Sequence, residues 1–116
     1  MPLRVLIVED NPTARVTLEK LLALEGFHVQ SAGTLQRGME LLDGQAAVIL
    51  DLDLPDGNGI DLLKMIRTEK RTMKVLVVSA CDDPAVLREV RLLQPDELLC
   101  KPLDVSRVLE HLHRPS

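Results

Sequence analysis

Residues 47–59 read AVILDLDLPDGNG: an apolar run, Ala47 to Leu50, stops at Asp51, and a second acid and a Pro/Gly-containing turn follow at once. Such an unbroken apolar run suits a strand covered on both faces, as in a parallel sheet. The same shape recurs on either side. Val5 to Val8 ends in Glu9-Asp10-Asn11, Val75 to Val78 ends in Ser79, and Leu98 to Cys100 ends in Lys101. His28 to Ala32 is more polar and suits an edge strand. Helical periodicity fills the gaps. Ala14, Leu18, Leu21 and Leu22 share a face, with Asn11 as N-cap, Pro12 at the first helical position and Gly26 past the end. Leu35, Met39 and Leu42 form a second stripe after the cap Thr34. Leu62, Leu63 and Ile66 form a third. Val86, Val90 and Leu93 form a fourth after Asp83-Pro84. Val105, Val108, Leu109 and Leu112 form a fifth after Asp104. Five β-α units in alternation predict an α/β fold with parallel strands and helices on both faces. They are too few for an eight-stranded barrel, so the sheet is expected to be open and doubly wound.

The chain of 116 residues has the length of one domain, and 46% apolar residues give it enough material for a core. A formal charge of -4 argues against a nucleic-acid-binding surface. No apolar run reaches the ~18 residues of a membrane span, and the start at Met1 leaves no room for a signal peptide before Arg4-Val5. Cys81 and Cys100 lack metal-binding spacing and are expected to be reduced thiols. His28, His111 and His113 lack it too, and the last two are expected to be exposed tail residues.

In an open parallel sheet ligands bind outside the carboxyl ends of the strands, which share one edge. That edge would gather Glu9 and Asp10, Asp51 and Asp53, Ser79, and Lys101. Carboxylates packed together repel one another, and a hard divalent cation such as Mg2+ relieves the repulsion through oxygen ligands. One carboxylate can act as a nucleophile toward phosphorus, and an ammonium can neutralise the transferring group. In this reading Asp51 is the nucleophile, Glu9 and Asp10 hold metal, Lys101 clamps the phosphoryl group and Ser79 hydrogen-bonds it.

With these residues in place the sequence resembles the receiver-domain family of two-component response regulators. The resemblance rests on Val8-Glu9-Asp10-Asn11, Ile49 through Gly59, Val78-Ser79-Ala80 and Lys101-Pro102, in order along essentially the whole chain, 1–116. It implies a flavodoxin-like, five-stranded parallel doubly wound sheet of strand order 2-1-3-4-5 with five helices. It further implies phosphorylation of Asp51 by a sensor histidine kinase or phosphotransfer protein, with Mg2+ (or Mn2+) held by Glu9, Asp10, Asp51 and the backbone carbonyl of Asp53. Ser79 and Lys101 complete the catalytic set, Pro55 and Gly59 shape the loop beneath the site, and the Lys101-Pro102 peptide is cis. Such a module is expected to be cytoplasmic, to catalyse only its own phosphorylation and dephosphorylation, and to bind neither membrane nor nucleic acid directly. It would offer a homodimer face on its fourth helix, fifth strand and fifth helix. The output domain or target is not readable.

Two positions depart from the family pattern. Leu98 stands where an aromatic residue is common, and Phe27, the only aromatic residue, precedes the edge strand and cannot replace it. Asp53 makes a strand-end D-x-D with Asp51, as in haloacid-dehalogenase-type phosphohydrolases, where the second Asp serves as acid/base. Those enzymes place further metal-binding acids after these motifs, whereas Glu9-Asp10 precede the nucleophile here. The third alternative is a receiver-like module that binds partners without being phosphorylated, and the complete constellation speaks against it.

Overall fold

The computed structural model describes residues 3–114; Met1, Pro2, Pro115 and Ser116, on which the reading of the chain ends partly falls, lie outside the described residues. In chain order the strands are β1 (Arg4–Val8), β2 (His28–Ala32), β3 (Ala47–Asp51), β4 (Asp53–Leu54), β5 (Gly57–Asn58), β6 (Lys74–Ser79) and β7 (Glu97–Cys100). The helices are α1 (Pro12–Leu24), α2 (Leu35–Leu41), α3 (Gly59–Thr68), α4 (Pro84–Leu92) and α5 (Val105–His113). The main sheet is parallel with order β2-β1-β3-β6-β7, so the expected 2-1-3-4-5 topology holds once β6 and β7 are counted as its fourth and fifth strands. A short antiparallel hairpin, β4-β5, is an addition to the expected pattern.

The apolar runs lie in the middle of the sheet because both their faces are covered. Val5, Ile7, Ile49, Leu76 and Val78 pack on one side with Leu18 and Leu22 of α1 and Val108 and Leu112 of α5. Leu6, Val8, Val48, Leu50, Val75 and Val77 pack on the other with Leu62, Leu63 and Ile66 of α3 and Val90 of α4. Neighbouring residues of one strand thus feed opposite cores, as the period of two demands. The helices start where their caps lie. Asn11 accepts from the Ala14 amide, Thr34 from Arg37, Asp83 from Ala85 and Asp104 from Ser106. Asn58 caps α3 in the same way, accepting from the Ile60 amide. Gly26, at φ 94°, turns the chain out of α1 in a conformation that disfavours side chains.

Three expectations need correction. Ala14 and Leu21 are exposed, and the buried stripe of α1 narrows to Leu18 and Leu22. His113 is exposed and packs on Phe27, but His111 is buried, because α5 runs through it and places it three residues after Val108 on the core face. Its Nε2 lies 3.2 Å from the Glu97 carboxylate. Finally, Cys81 and Cys100 are not reduced thiols: they form a disulfide with Cα atoms 5.5 Å apart. Their 19-residue separation conceals that β6 and β7 are neighbours in which Ser79 pairs with Cys100.

Candidate functional site

Strand register assembles the site. Val8 of β1 pairs with Leu50 of β3, so Glu9 follows on beside Asp51. Asp51 in turn pairs with Val78 of β6, which puts Ser79 one residue further along. Ser79 pairs with Cys100 of β7, and Lys101 follows. The chain leaves β1 for one edge and returns to β3 on the other side, so the acids lie at the switch point where open α/β sheets bind ligands.

Carboxylate oxygens of Glu9, Asp10 and Asp51 lie within 4.8 Å of one another. Lys101 Nζ donates to Asp51 Oδ2 at 2.9 Å, and the Asp53 amide donates to Asp51 Oδ1 at 3.1 Å, so both oxygens of the buried Asp51 are held. At an effective dielectric near 20 the Lys101–Asp51 attraction is roughly 6 kcal/mol. Removing Asp51 from water costs several kcal/mol in the other direction, and Lys101 stays partly solvated, so the pair chiefly orients the carboxylate. Arg15 Nη1 donates to the Glu9 carbonyl at 2.9 Å, and Glu9 Oε1 accepts from the Asn11 amide.

Burial and a hydrogen bond to Asp51 push the Glu9 carboxyl up to about 7. Burial also works to raise Asp51, but hydrogen bonds from Glu9 and Lys101 outweigh it and hold Asp51 below its usual range. Below about pH 7 the proton of the pair is therefore favoured on Glu9, with Asp51 ionised. Lys101 moves up despite its own burial, because Asp51 stabilises its charged form.

These groups line a cleft of about 640 Å³ whose floor is Ile7, Leu18, Ile49 and Val78. Three carboxylates and one ammonium, when all are ionised, leave two negative charges. A hard divalent cation matches that charge, and an all-oxygen donor set is what Mg2+ or Mn2+ takes.

The structure thus brings together Glu9, Asp10, Asp51 and Lys101. Ser79 and Asp53 lie at the same edge, with their side chains outside this cluster. Ser79 is buried, and its Oγ accepts from the Cys81 amide at 3.0 Å. The Asp53 side chain is exposed beside an adjoining shallow groove lined by Asp10, Leu54, Pro55 and Asn58. Lys101-Pro102 is cis, as the resemblance implies. Gly59 is buried with its amide donating to the Leu52 carbonyl, and a Cβ there would lie 2.5 Å from the Asp51 carbonyl oxygen. Sequence reading missed Arg15 and Asp56. Arg15 could have been found, because it lies four residues after Asn11 and so on the same helical face. Asp56 accepts from the Leu35 and Gln36 amides at 2.7 and 3.0 Å, fastening the loop after β4 to the start of α2, and nothing in its local sequence signals this.

The response regulator receiver domain model matches residues 5–113, and the chain belongs to that family. The chemotaxis protein CheY of Thermotoga maritima is 31% identical over 118 residues, covering 97% of each chain. The cell cycle transcriptional regulator CtrA of Caulobacter vibrioides is 27% identical over 96% of this chain, which spans only about half (49%) of that relative. Among solved structures, the non-phosphorylated HemR receiver domain from Leptospira biflexa superposes with a TM-score of 0.85 at 30% identity, covering 100% of this chain and 99% of its own. The family match sets aside the phosphohydrolase alternative.

Proposed function

We propose that Asp51 accepts a phosphoryl group from the phosphohistidine of a sensor histidine kinase or phosphotransfer protein. The observation that carries this is a buried carboxylate at the end of the central strand, held by Lys101 at 2.9 Å and crowded by Glu9 and Asp10 within 4.8 Å. An Asp51 oxygen attacks phosphorus while the bond from phosphorus to the donor nitrogen breaks, giving an acyl phosphate. Lys101 shifts from the carboxylate to the incoming phosphoryl oxygens, and the Ser79 hydroxyl donates to one of them. Glu9, Asp10, Asp51 and the Asp53 carbonyl would hold Mg2+ (or Mn2+), which supplies positive charge against the transferring group. The Asp53 carboxylate, exposed at the rim, takes no part in this set.

The chain modifies only itself, so it works as a switch. Phosphorylation adds about two negative charges and strong acceptors beside Ser79. The change travels through the loop 80–83 to the face of α4, β7 and α5, where an output domain, a target or a second copy would bind. Leu98 on this route is half-buried against the core, so the switch proceeds without movement of an aromatic ring. No described helix is long and apolar enough to cross a membrane, and we place the module in the cytoplasm with its kinase.

Incubation with acetyl phosphate and Mg2+ is expected to add one phosphoryl mass to the intact protein, and a chelator is expected to prevent it. Uptake that persists undiminished without divalent metal would contradict this reading.

Glu9 adds a pH dependence. Its folded pKa, about 7, lies above the ordinary 4.5, so the folded protein binds the extra proton between those values. The stabilisation from this proton is full below the unfolded value and is lost as pH rises through about 7. Metal must displace the same proton, so Mg2+ affinity is expected to be about tenfold weaker at about pH 6 than at about pH 8. Magnesium titration followed by amide NMR at the two pH values measures this, and Glu9→Gln should flatten the dependence. Equal affinities in the parent protein would show that Glu9 carries no such proton.

A further inference from the structure

The disulfide lies between two groups that the site uses. Cys81 comes two residues after Ser79, and Cys100 immediately precedes Lys101. β6 and β7 are already fastened at this point, since Ser79 pairs with Cys100 and the Lys101 amide donates to the Ser79 carbonyl at 2.8 Å. The bridge adds little to that strand pairing. It anchors the loop 80–83 instead. Cys81 stands at φ 61°, a left-handed conformation that non-glycine residues rarely adopt, and from there its amide donates to Ser79 Oγ. The bond leaves the Ser79 O–H free to donate, but it holds the oxygen that would turn to the phosphoryl group against the residue that the bridge ties down. Cys100 is exposed and Cys81 half-buried, so the bond is open to small molecules.

We propose that Cys81–Cys100 is a thiol–disulfide exchange site for small thiols and dithiols, and that its state sets how readily Asp51 takes up phosphate. The inference rests on the reading of Asp51 as phosphoacceptor. A reductant thiolate attacks the exposed Cys100 sulfur, the S–S bond breaks, and Cys81 leaves as a thiolate that takes a proton. The second thiol of a dithiol then attacks the mixed disulfide, releasing Cys100 and closing the reductant's own disulfide. Two electrons pass to the protein, and the dithiol is oxidised. Closed, the bridge keeps the loop 80–83 and the Ser79 hydroxyl where they are. Open, it lets Cys81 leave its left-handed position and take its amide away from the Ser79 oxygen, so that the side chain can turn. In a reducing compartment the open form dominates, and closure reports oxidation.

The test counts free thiols by alkylation and mass spectrometry, and times phosphoryl uptake from acetyl phosphate with Mg2+, before and after dithiothreitol. In protein first treated with an oxidised dithiol, no free thiols and slow uptake are expected, and after dithiothreitol two free thiols and uptake about tenfold faster, a typical coupling between linked sites. The double variant Cys81→Ser/Cys100→Ser should be fast under both conditions. Equal uptake rates in bridged and reduced protein would overturn the coupling while leaving Asp51 as acceptor. Two free thiols that persist after treatment with an oxidised dithiol would overturn the exchange site itself. No uptake in any form would overturn the reading of Asp51, and the coupling with it, whereas the thiol count would still decide whether the bridge forms.

Discussion

Asp51→Asn is expected to lose phosphoryl uptake by at least about a thousandfold, the scale on which removal of a covalent nucleophile acts. The substitution keeps the shape of the side chain and an oxygen able to accept from the Asp53 amide, now at 3.1 Å from Asp51 Oδ1. What it removes is the anionic oxygen that attacks phosphorus and that pairs with Lys101 at 2.9 Å. The fold should survive, because the core clusters on either side of the sheet do not depend on the charge. Intact-mass kinetics with acetyl phosphate and Mg2+ give the uptake, and a circular dichroism melt confirms folding. Stoichiometric labelling of the folded Asn protein would mean that another group is the acceptor.

Gly59→Ala is expected to have the largest structural effect of any single methyl addition near the site. The new Cβ would stand 2.5 Å from the Asp51 carbonyl oxygen and 2.9 Å from Leu52 Cα, both backbone atoms that cannot rotate away. Either the start of α3 lifts off the end of β3 or the chain at Asp51 and Leu52 moves. Overpacking of this kind costs about 3 kcal/mol. The amide of residue 59 also donates to the Leu52 carbonyl at 2.9 Å, a bond that the displacement would stretch. Urea unfolding should show the loss as a lower midpoint, and uptake in the folded fraction should slow because the shift begins at the nucleophile's own carbonyl. A cost below about 1 kcal/mol would mean that the loop after β3 has slack that the packing does not show.

Much of this site is legible in sequence because its parts are local. An apolar run followed by a polar residue marks the end of a buried strand, and parallel topology then brings Glu9, Asp10, Asp51 and Lys101 to one edge. Caps such as Asn11, Thr34 and Asp104 are equally local, since each bonds an amide two or three residues on. The features that escaped depend on contacts across the sheet. The Cys81–Cys100 bridge follows from the register of β6 on β7, which no spacing encodes. Asp56 reaches amides about twenty residues earlier in the chain, and the direction of the Ser79 hydroxyl depends on the fold-back of Cys81. His111 was misplaced for another reason: although the stripe to Leu112 already ran past it, a polar side chain close to the chain end looks exposed, and only the packing of α5 shows that it shares the buried face with Val108 and meets Glu97.

The central claim is that the phosphoryl group resides on Asp51, and reductive trapping tests it most directly. Borohydride reduces an acyl phosphate to a primary alcohol, so a phosphorylated aspartate becomes homoserine, which peptide mass spectrometry assigns to a position. After treatment with acetyl phosphate and Mg2+, homoserine is expected at position 51, with Asp10 and Asp53 unchanged. An alcohol at Asp10, Asp53 or any other acid, with Asp51 intact, would contradict it.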